Sequence, residues 1–308
     1  MTPFEHKIFD TLVDNSFLFF RESLNRLMEK DSSADTVDVG LVTLTCAELQ
    51  ISLELVIRAI LVQREGLKSV LKSDQQSLSE DRIIELYHSN GLKVTDFEQQ
   101  KNLLKSRNLS RLTKEDFREI DRFQIYRNKI VHFSCDFPEE QLGELRDRLV
   151  YYIVHVVLVL MTDTTTGEEV SEFLQSKLGF ERYKRLKDYP PYVKAMEQYA
   201  ARNADTVWNC IGCSHRTYSP EMDFCFCCGY ETLTGYSRVD CFMCGTKNSV
   251  IYDNLDIHNE GNHHQMPGRC LNCDEETFVF ECPVCGEAHD TSSDQTGDYC
   301  REGHCVNQ

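Results

Sequence analysis

The segment Leu49-Gln-Ile-Ser-Leu-Glu-Leu-Val-Ile-Arg-Ala-Ile-Leu-Val62 is apolar around nearly its whole circumference when it is placed on a helix. Other elements must cover a helix of this kind on most sides, so it predicts the centre of a helical domain. The helix should run from about Val39 to Leu71. Its charged exceptions, Glu54 and Arg58, lie one turn apart and can pair on one face. A partly buried salt bridge and a catalytic pair are both consistent with that spacing.

The segments on either side of the central helix also repeat apolar residues at helical intervals. Thr113-Lys-Glu-Asp116 resembles a capping box and predicts a helix start. Residues 168–204 should form short helices that Pro190-Pro191 interrupts, and no strand pattern occurs before residue 205. The expected fold is therefore mainly α, with a helical bundle over residues 1–163 and a helical connector over 164–204. The predicted bundle helices cover about residues 4–30, 39–71, 79–88, 113–133 and 138–163.

The composition and the N-terminal residues indicate the cellular compartment of the protein. The chain is 41% hydrophobic and 27% charged, as globular proteins are. The first residues lack the basic and apolar regions of a secretory signal. The longest apolar run, Leu149 to Met161, is shorter than the roughly 20 residues that a membrane-spanning helix needs. These features predict a cytoplasmic protein without a membrane anchor.

A short motif, Arg127-Asn-Lys-Ile-Val-His132, ends the helix that begins at the capping box. Residues 101–130 carry nine basic and four acidic residues, a net charge of +5. RNA contains its own nucleophile, the 2′-hydroxyl, so its cleavage needs an acid, a base and positive charge beside the phosphate. His132 can exchange protons near neutral pH, and the planar guanidinium of Arg127 matches phosphate oxygens. Asn128 lies one turn before the histidine and can orient it.

With its long apolar second helix, its Glu54-x-x-x-Arg58 pair and Arg127-Asn128-x-x-x-His132 before the last long helix, the chain resembles a HEPN domain. The resemblance covers about residues 4–163. It implies a metal-independent endoribonuclease, with RNA as the substrate and Arg127, His132 and Asn128 at the site. Members with this motif often act as toxins or as antiviral defence effectors. The resemblance also implies a homodimer with a composite cleft.

The spacing within the motif is a separate argument for two copies. At about 100° per residue, positions 127 and 132 lie about 140° apart around an ideal helix. They do not share a face unless the helix ends or distorts between them. One arginine and one histidine are also few groups for an acid, a base and a stabilising charge. Two motifs that meet at a two-fold axis would remove both difficulties.

A structural role for the motif is the alternative. Arginine and histidine near the end of a helix interact favourably with the helix dipole. In that case the chain would be a non-catalytic helical adaptor that scaffolds protein partners through its C-terminal modules. A metal-dependent nuclease is disfavoured, because no cluster of Asp and Glu residues accompanies the basic stretch.

Cysteines are concentrated in the last third of the chain: 13 of the 15 lie between Cys210 and Cys305. Five Cys-x-x-Cys pairs have the spacing of metal ligands, and several are followed by glycine. A disulfide framework would fit the density but not the missing secretory signal. In a zinc knuckle a tight turn aims two thiolates at one ion, and two knuckles complete a tetrahedral site. The pairs are Cys210/Cys213, Cys225/Cys228, Cys241/Cys244, Cys270/Cys273 and Cys282/Cys285.

Taken consecutively, these pairs predict three tandem zinc ribbons with short β-hairpins over residues 205–308, and about three structural ions. Four thiolates leave no position for water, so catalysis at the metal is not expected. Iron–sulfur ligation remains an alternative. Cys227 is left over, and His258, His263 and His264 are expected in an exposed loop. The third set contains Cys282, Cys285, Cys300 and either Cys305 or His304.

The cysteine-rich tail is strongly acidic. Residues 205–308 carry 17 acidic and five basic residues, a net charge of −12. A nucleic-acid backbone would be repelled by such a surface. We therefore expect protein contacts: a partner, a foreign protein that the tail senses, or the basic face of the chain's own helical domain. The last contact would be inhibitory, and deleting the tail would then raise RNA cleavage.

Overall fold

A computed structural model describes residues 1–29, 39–133, 147–165, 170–232, 235–256, 258–260, 263–281 and 286–291. The chain divides into two compact units, Met1–Ala195 and Met196–Gln308. The first unit is helical and the second contains the described strands, so the predicted mainly helical fold with a small C-terminal β-region is confirmed. Within the described ranges, no helix is long and apolar enough to cross a bilayer.

The helices follow the sequence prediction closely. The break expected at Pro190-Pro191 lies directly before them, between helices that end at Lys187 and begin at Pro190, because proline fits the first turn of a helix. The seventh helix, residues 147–163, contains a π-helical turn at Ile153–Val157 before its last segment, Leu158–Asp163. The helices are α1 (Pro3–Glu29), α2 (Val39–Glu65), α3 (Ser73–Gln76), α4 (Glu80–His88), α5 (Phe97–Ser106), α6 (Lys114–Phe133), α7 (147–163), α8 (Val170–Leu178), α9 (Phe180–Lys187) and α10 (Pro190–Asn203).

Helix α2 is the central helix, as its apolar circumference predicted. Leu49, Leu53, Ile57 and Ile60 are all fully buried. The helix ends at Glu65, six residues before the predicted end. Gly66 takes a backbone φ of +82°, which only glycine adopts easily, and a short 3₁₀ turn follows at Leu67–Val70.

The capping box at the start of α6 is confirmed. The Thr113 backbone N–H donates to the Asp116 carboxylate at 2.8 Å, and the Asp116 N–H donates to the Thr113 hydroxyl at 3.3 Å. These bonds satisfy backbone donors that have no partner inside the helix. From this start, α6 carries Phe117, Ile120 and Phe123 into the core.

Contacts at the helix ends determine the direction of α6. Gln63 near the end of α2 donates to the Thr164 carbonyl just beyond α7. Arg111, just before α6, pairs with Asp163 at the end of α7 at 2.5 Å. The ends of α2 and α7 therefore lie beside the start of α6, and α6 runs opposite to both. Its last described turns lie at the other end of the bundle, where α7 begins.

In the second unit the strands combine into two sheets instead of separate hairpins. Strands β1 (Tyr218–Ser219) and β2 (Phe224–Cys225) form a small antiparallel pair. The larger antiparallel sheet has the order β3-β4-β6-β7-β8, and β5 pairs with β6. Its strands are β3 (Tyr236–Val239), β4 (Val250–Asp253), β5 (His258–Glu260), β6 (His263–Cys270), β7 (Glu276–Glu281) and β8 (Ala288–Thr291).

The three histidines expected in a loop instead belong to strands: His258 lies in β5, and His263 and His264 lie in β6. The alternation of polar and apolar residues around them is irregular, so the search for a period of two missed this hairpin.

The core of the large sheet also explains a glycine in β6. A Cβ atom at Gly268 would lie 3.0 Å from methyl groups of both Val250 and Val279, so the residue must be small.

Candidate metal centres and candidate catalytic residues

The structure gathers eight of the predicted metal ligands into two groups of four. Within each group all Sγ atoms lie within 4.8 Å of one another. A tetrahedral site with Zn–S bonds of about 2.3 Å requires edges of about 3.8 Å between sulfurs. A disulfide would require about 2.05 Å. The measured Sγ–Sγ distances are 3.6 Å for Cys210–Cys228, 3.8 Å for Cys213–Cys225, 3.8 Å for Cys241–Cys273 and 3.7 Å for Cys244–Cys270.

Each of the four cysteine pairs sits on the same backbone turn. The residue four positions after the first cysteine donates its N–H to that cysteine's carbonyl at 2.7–2.9 Å, and its φ is positive. Glycine was predicted to relieve this turn, and Gly229 and Gly245 do so, with φ of 71° and 69°. Ser214 and Asp274 adopt the same left-handed conformation, with φ of 60° and 66°. The turn therefore forms without glycine in two of the four cases.

Backbone N–H groups and hydroxyl groups lie within hydrogen-bonding distance of several sulfurs. The N–H groups of Gly212 and Cys273 point to the sulfurs of Cys210 and Cys270, at 3.2 and 3.4 Å. Such donors stabilise a thiolate, which is the form that binds metal. The donor type, the distances and the turns all fit a four-coordinate metal ion. The two tetracysteine groups can therefore hold structural metal ions.

Two hydroxyl groups near the sulfurs were not anticipated from the sequence. The Oγ1 atom of Thr217 lies 3.2 Å from the Cys225 sulfur, and Oγ of Ser249 lies 3.2 Å from the Cys270 sulfur. Both residues are fully buried. Thr217 follows Cys213 by four residues and Ser249 follows Cys244 by five, but each hydroxyl contacts a sulfur of the other cysteine pair in its group. The fold therefore brings these hydroxyls to the ligands.

The remaining predicted ligands lie largely outside the described residues. Cys282, Cys285, Cys300, His304 and Cys305, the predicted third set, all fall there. Cys227, the expected bystander, is buried, and its sulfur lies in a group with Cys213 and His215. Cys227 therefore lies beside the first tetracysteine group, near its member Cys213, but is not one of the four cysteines.

Arg127 lies on the core-facing side of α6, one turn beyond the buried ring of Phe123. Its Nε atom is buried and has no hydrogen-bond partner among the described residues. Its Nη1 atom donates to the Asn128 side-chain oxygen at 2.9 Å. Asn128 itself is exposed. The guanidinium thus lies at the boundary between the core and the surface, and its Nε–H can donate a further hydrogen bond.

Other polar side chains gather at the same end of the bundle. Arg148, near the start of α7, donates a hydrogen bond to the Tyr126 hydroxyl, and its guanidinium lies 5.3 Å from the centre of the Tyr126 ring. The Nε–H of Arg26, at the end of α1, donates to both carboxylate oxygens of Glu48 at 3.0–3.1 Å. Helix α6 continues without a break through position 132, so positions 127 and 132 remain about 140° apart. The His132 side chain lies outside the described part of the structure.

Glu54 and Arg58 lie one turn apart on α2. The Glu54 carboxylate accepts a hydrogen bond from Gln50 at 2.9 Å. Burial lowers the pKa of Arg58, and the neighbouring Glu54 charge partly opposes this shift. The Tyr152 ring stacks on the Phe123 ring with 4.1 Å between the ring centres. The negative charge of Glu54 contributes to the raised pKa of the Tyr152 hydroxyl. Because α6 and α2 run in opposite directions, Arg58 lies further from Arg127 than Glu54 does.

Burial dominates the chemistry of two nearby groups that the sequence did not single out. It raises the pKa of the Cys46 thiol to about 12. It also raises the pKa of Tyr152, with smaller contributions from Cys46 and Glu54. Burial therefore favours the neutral form of both groups.

Comparison of the chain with protein-family models, with curated proteins and with solved structures found no match.

Proposed function

We propose that the first unit is a metal-independent endoribonuclease that works as a homodimer in the cytoplasm. The observation that carries this proposal is the placement of Arg127. The Nε atom of its guanidinium has no hydrogen-bond partner among the described residues, and it lies at the bundle end where Arg148, Tyr126 and Asn128 also lie. A structural arginine would be expected to use its donors within the fold.

In the proposed reaction the RNA 2′-hydroxyl attacks the adjacent phosphate. His132 exchanges the proton, either as the base for the 2′-hydroxyl or as the acid for the leaving 5′-oxygen. Arg127 donates to the phosphate oxygens as negative charge accumulates on them. Asn128, one turn before position 132 on the unbroken helix, orients the imidazole or contacts the phosphate.

The unbroken helix supports the dimer part of the proposal. Because positions 127 and 132 face different directions on one α6, a single copy does not offer both to one phosphate from one face. A second copy related by a two-fold axis can supply the missing group. The expected mass in solution is therefore twice that of one chain, which light scattering after gel filtration measures.

We further propose that the metal ions are zinc, about three in number, and that they are structural. Four sulfur donors at tetrahedral distances support zinc over metals that prefer oxygen. The third ion would be held by Cys282, Cys285, Cys300 and either Cys305 or His304. The tail would then act as a sensor, tether or regulator of a toxin-like or antiviral effector.

The test is cleavage of mixed cellular RNA by the purified full chain in a buffer free of divalent cations, with the bound metal quantified afterwards. We expect wild-type protein to cut, and Arg127→Ala and His132→Ala each to lose about 100-fold or more in rate. Arg118→Ala is the matched control, because Arg118 is an exposed arginine on the same helix that pairs with Glu115. It should cut at the wild-type rate.

Two results would contradict the proposal. Cleavage that persists in Arg127→Ala or His132→Ala would remove the residue from the reaction. An intact, metal-loaded wild-type dimer that cuts no RNA would favour the alternative of a non-catalytic helical adaptor.

A further inference from the structure

A groove of about 600 Å³ lies on the second unit, between the first cysteine module and the large sheet. Ile211, from the turn between Cys210 and Cys213, contributes one wall, and strands β3, β4, β6 and β7 contribute the rest. The volume is in the range of sites that bind small molecules or peptide segments. We call it the sheet groove and define it by Tyr236, Ile251, Asp253, Asp256, Glu276 and Phe278.

The groove uses the face of the sheet that does not enter the core. In β4, Val250 and Tyr252 are core residues, and Ile251 alternates to the other face. In β7, Val279 is a core residue and Phe278 points the other way, paired with Pro267 of β6. Phe278 is 44% exposed, which is unusual for a phenylalanine.

The polar lining of the groove is acidic. Three carboxylates line it, those of Asp253, Asp256 and Glu276. The one guanidinium in the lining, Arg269, is already paired with the Asp274 carboxylate at 2.7 Å. The groove therefore combines an apolar floor with a lining that contains three carboxylates and one guanidinium.

We propose that the sheet groove binds a lysine- or arginine-rich segment of a partner protein. The long aliphatic stems of such side chains can lie on Phe278 and on its exposed cross-strand partner Pro267, while their charged ends reach Asp253 and Glu276. The aromatic rings of Phe278 and Tyr236 add cation–π attraction. The net charge of −12 on residues 205–308 draws cationic partners to this surface and repels nucleic acid. This proposal goes beyond the nuclease proposal and does not depend on it, because its readout is binding.

The test uses the full chain and a fluorescein-labelled peptide of alternating lysine and serine, measured by fluorescence anisotropy at physiological salt. A peptide with glutamine in place of lysine is the neutral probe. We expect saturable binding of the lysine peptide only. Asp253→Asn combined with Glu276→Gln should weaken it about tenfold, which corresponds to losing two partly exposed charge pairs. Asn at position 253 can still accept the hydrogen bond that the Leu255 N–H donates.

Two further variants separate a specific groove from general attraction to an acidic tail. Phe278→Ala keeps every charge and should also weaken binding, and because the ring is partly exposed the fold should persist. Glu231→Gln combined with Glu287→Gln removes the same charge from exposed positions outside the groove. This control should bind the peptide within about twofold of wild type.

The proposal is overturned if wild-type protein does not bind the lysine peptide, or if the control variant loses as much affinity as the groove variant. It is also overturned if a single-stranded RNA oligonucleotide binds and the groove substitutions abolish that binding. Circular dichroism and metal content of every variant would show that the second unit is folded when binding is measured.

Discussion

Removing the metal should unfold the second unit and leave the first unit intact. In the larger sheet, Cys241 and Cys270, ligands of the second group, are two of the six buried core residues. Two of the predicted metal ligands are therefore part of the hydrophobic core of this sheet. Structural zinc contributes about 10–16 kcal/mol in zinc-finger peptides, whereas a whole domain is stable by about 5–15 kcal/mol. Loss of one ion is therefore enough to unfold this unit.

The chain carries a convenient reporter for this prediction. Its single tryptophan, Trp208, is 6% exposed and lies two residues before the first ligand, Cys210. Its backbone N–H donates to the Tyr218 carbonyl at 2.8 Å, which ties it to β1. On treatment with excess of a strong zinc chelator, tryptophan emission should shift to the red as the indole becomes exposed. The helical circular dichroism signal at 222 nm should persist, because α1 to α9 belong to the first unit.

Matched cysteine variants sharpen the measurement. Cys213→Ser removes one ligand and should show the shifted emission without chelator, with reduced metal content. Cys46→Ala removes a buried thiol from the first unit and should keep both the metal and the native emission. If the metal leaves and tryptophan emission does not change, the cysteine groups do not hold this fold together. If the helical signal is lost together with the emission, the independence of the first unit is refuted.

Two smaller predictions concern stability. Gly268→Ala should lower the unfolding free energy of the second unit by about 1–3 kcal/mol, because the added methyl group crowds Val250 and Val279 at 3.0 Å. Urea titration monitored by tryptophan fluorescence measures this change. An unchanged midpoint would show that the sheet relaxes to accept the methyl group. Burial lowers the pKa of Lys101, but its hydrogen bonds, first that to Asp121 at 2.5 Å, outweigh burial and raise it. The ion pair's stabilisation of about 1 kcal/mol is therefore complete below the ordinary lysine pKa of about 10.4 and is lost as the pH rises through the raised pKa. Lys101→Gln should destabilise the first unit near neutral pH and much less in strong alkali. Urea titrations at both pH values would test this.

Local signals in the sequence were the most reliable guides to this protein. The apolar segment from Leu49 to Val62 identified the central helix, and Thr113 with Asp116 identified the start of α6. The consecutive pairing of Cys-x-x-Cys motifs identified which cysteines come together in both described groups. Each of these signals lies within a few residues or follows from ligand spacing, which is why no tertiary information was needed.

Other features depend on contacts between distant parts of the chain. The turn that follows α2 is held by a distant residue, because the Leu67 N–H donates to the Glu5 carboxylate at 2.8 Å. The histidines of β5 and β6 joined the sheet through strand pairing that their own pattern does not show. Hydroxyls from Thr217 and Ser249 reach the sulfurs only because the fold brings them there.

The sequence by itself determined the helical bundle, the cysteine pairs that form the two tetracysteine groups and the choice of Arg127 for study, because helix periodicity, ligand spacing and side-chain chemistry are local properties. The tertiary structure decided what surrounds those residues. It brought Arg148 of α7 to Tyr126, the residue before Arg127, and it formed an acidic groove on the outer face of a sheet. Strand order and helix direction determine such neighbours, and they depend on packing between segments far apart in the chain.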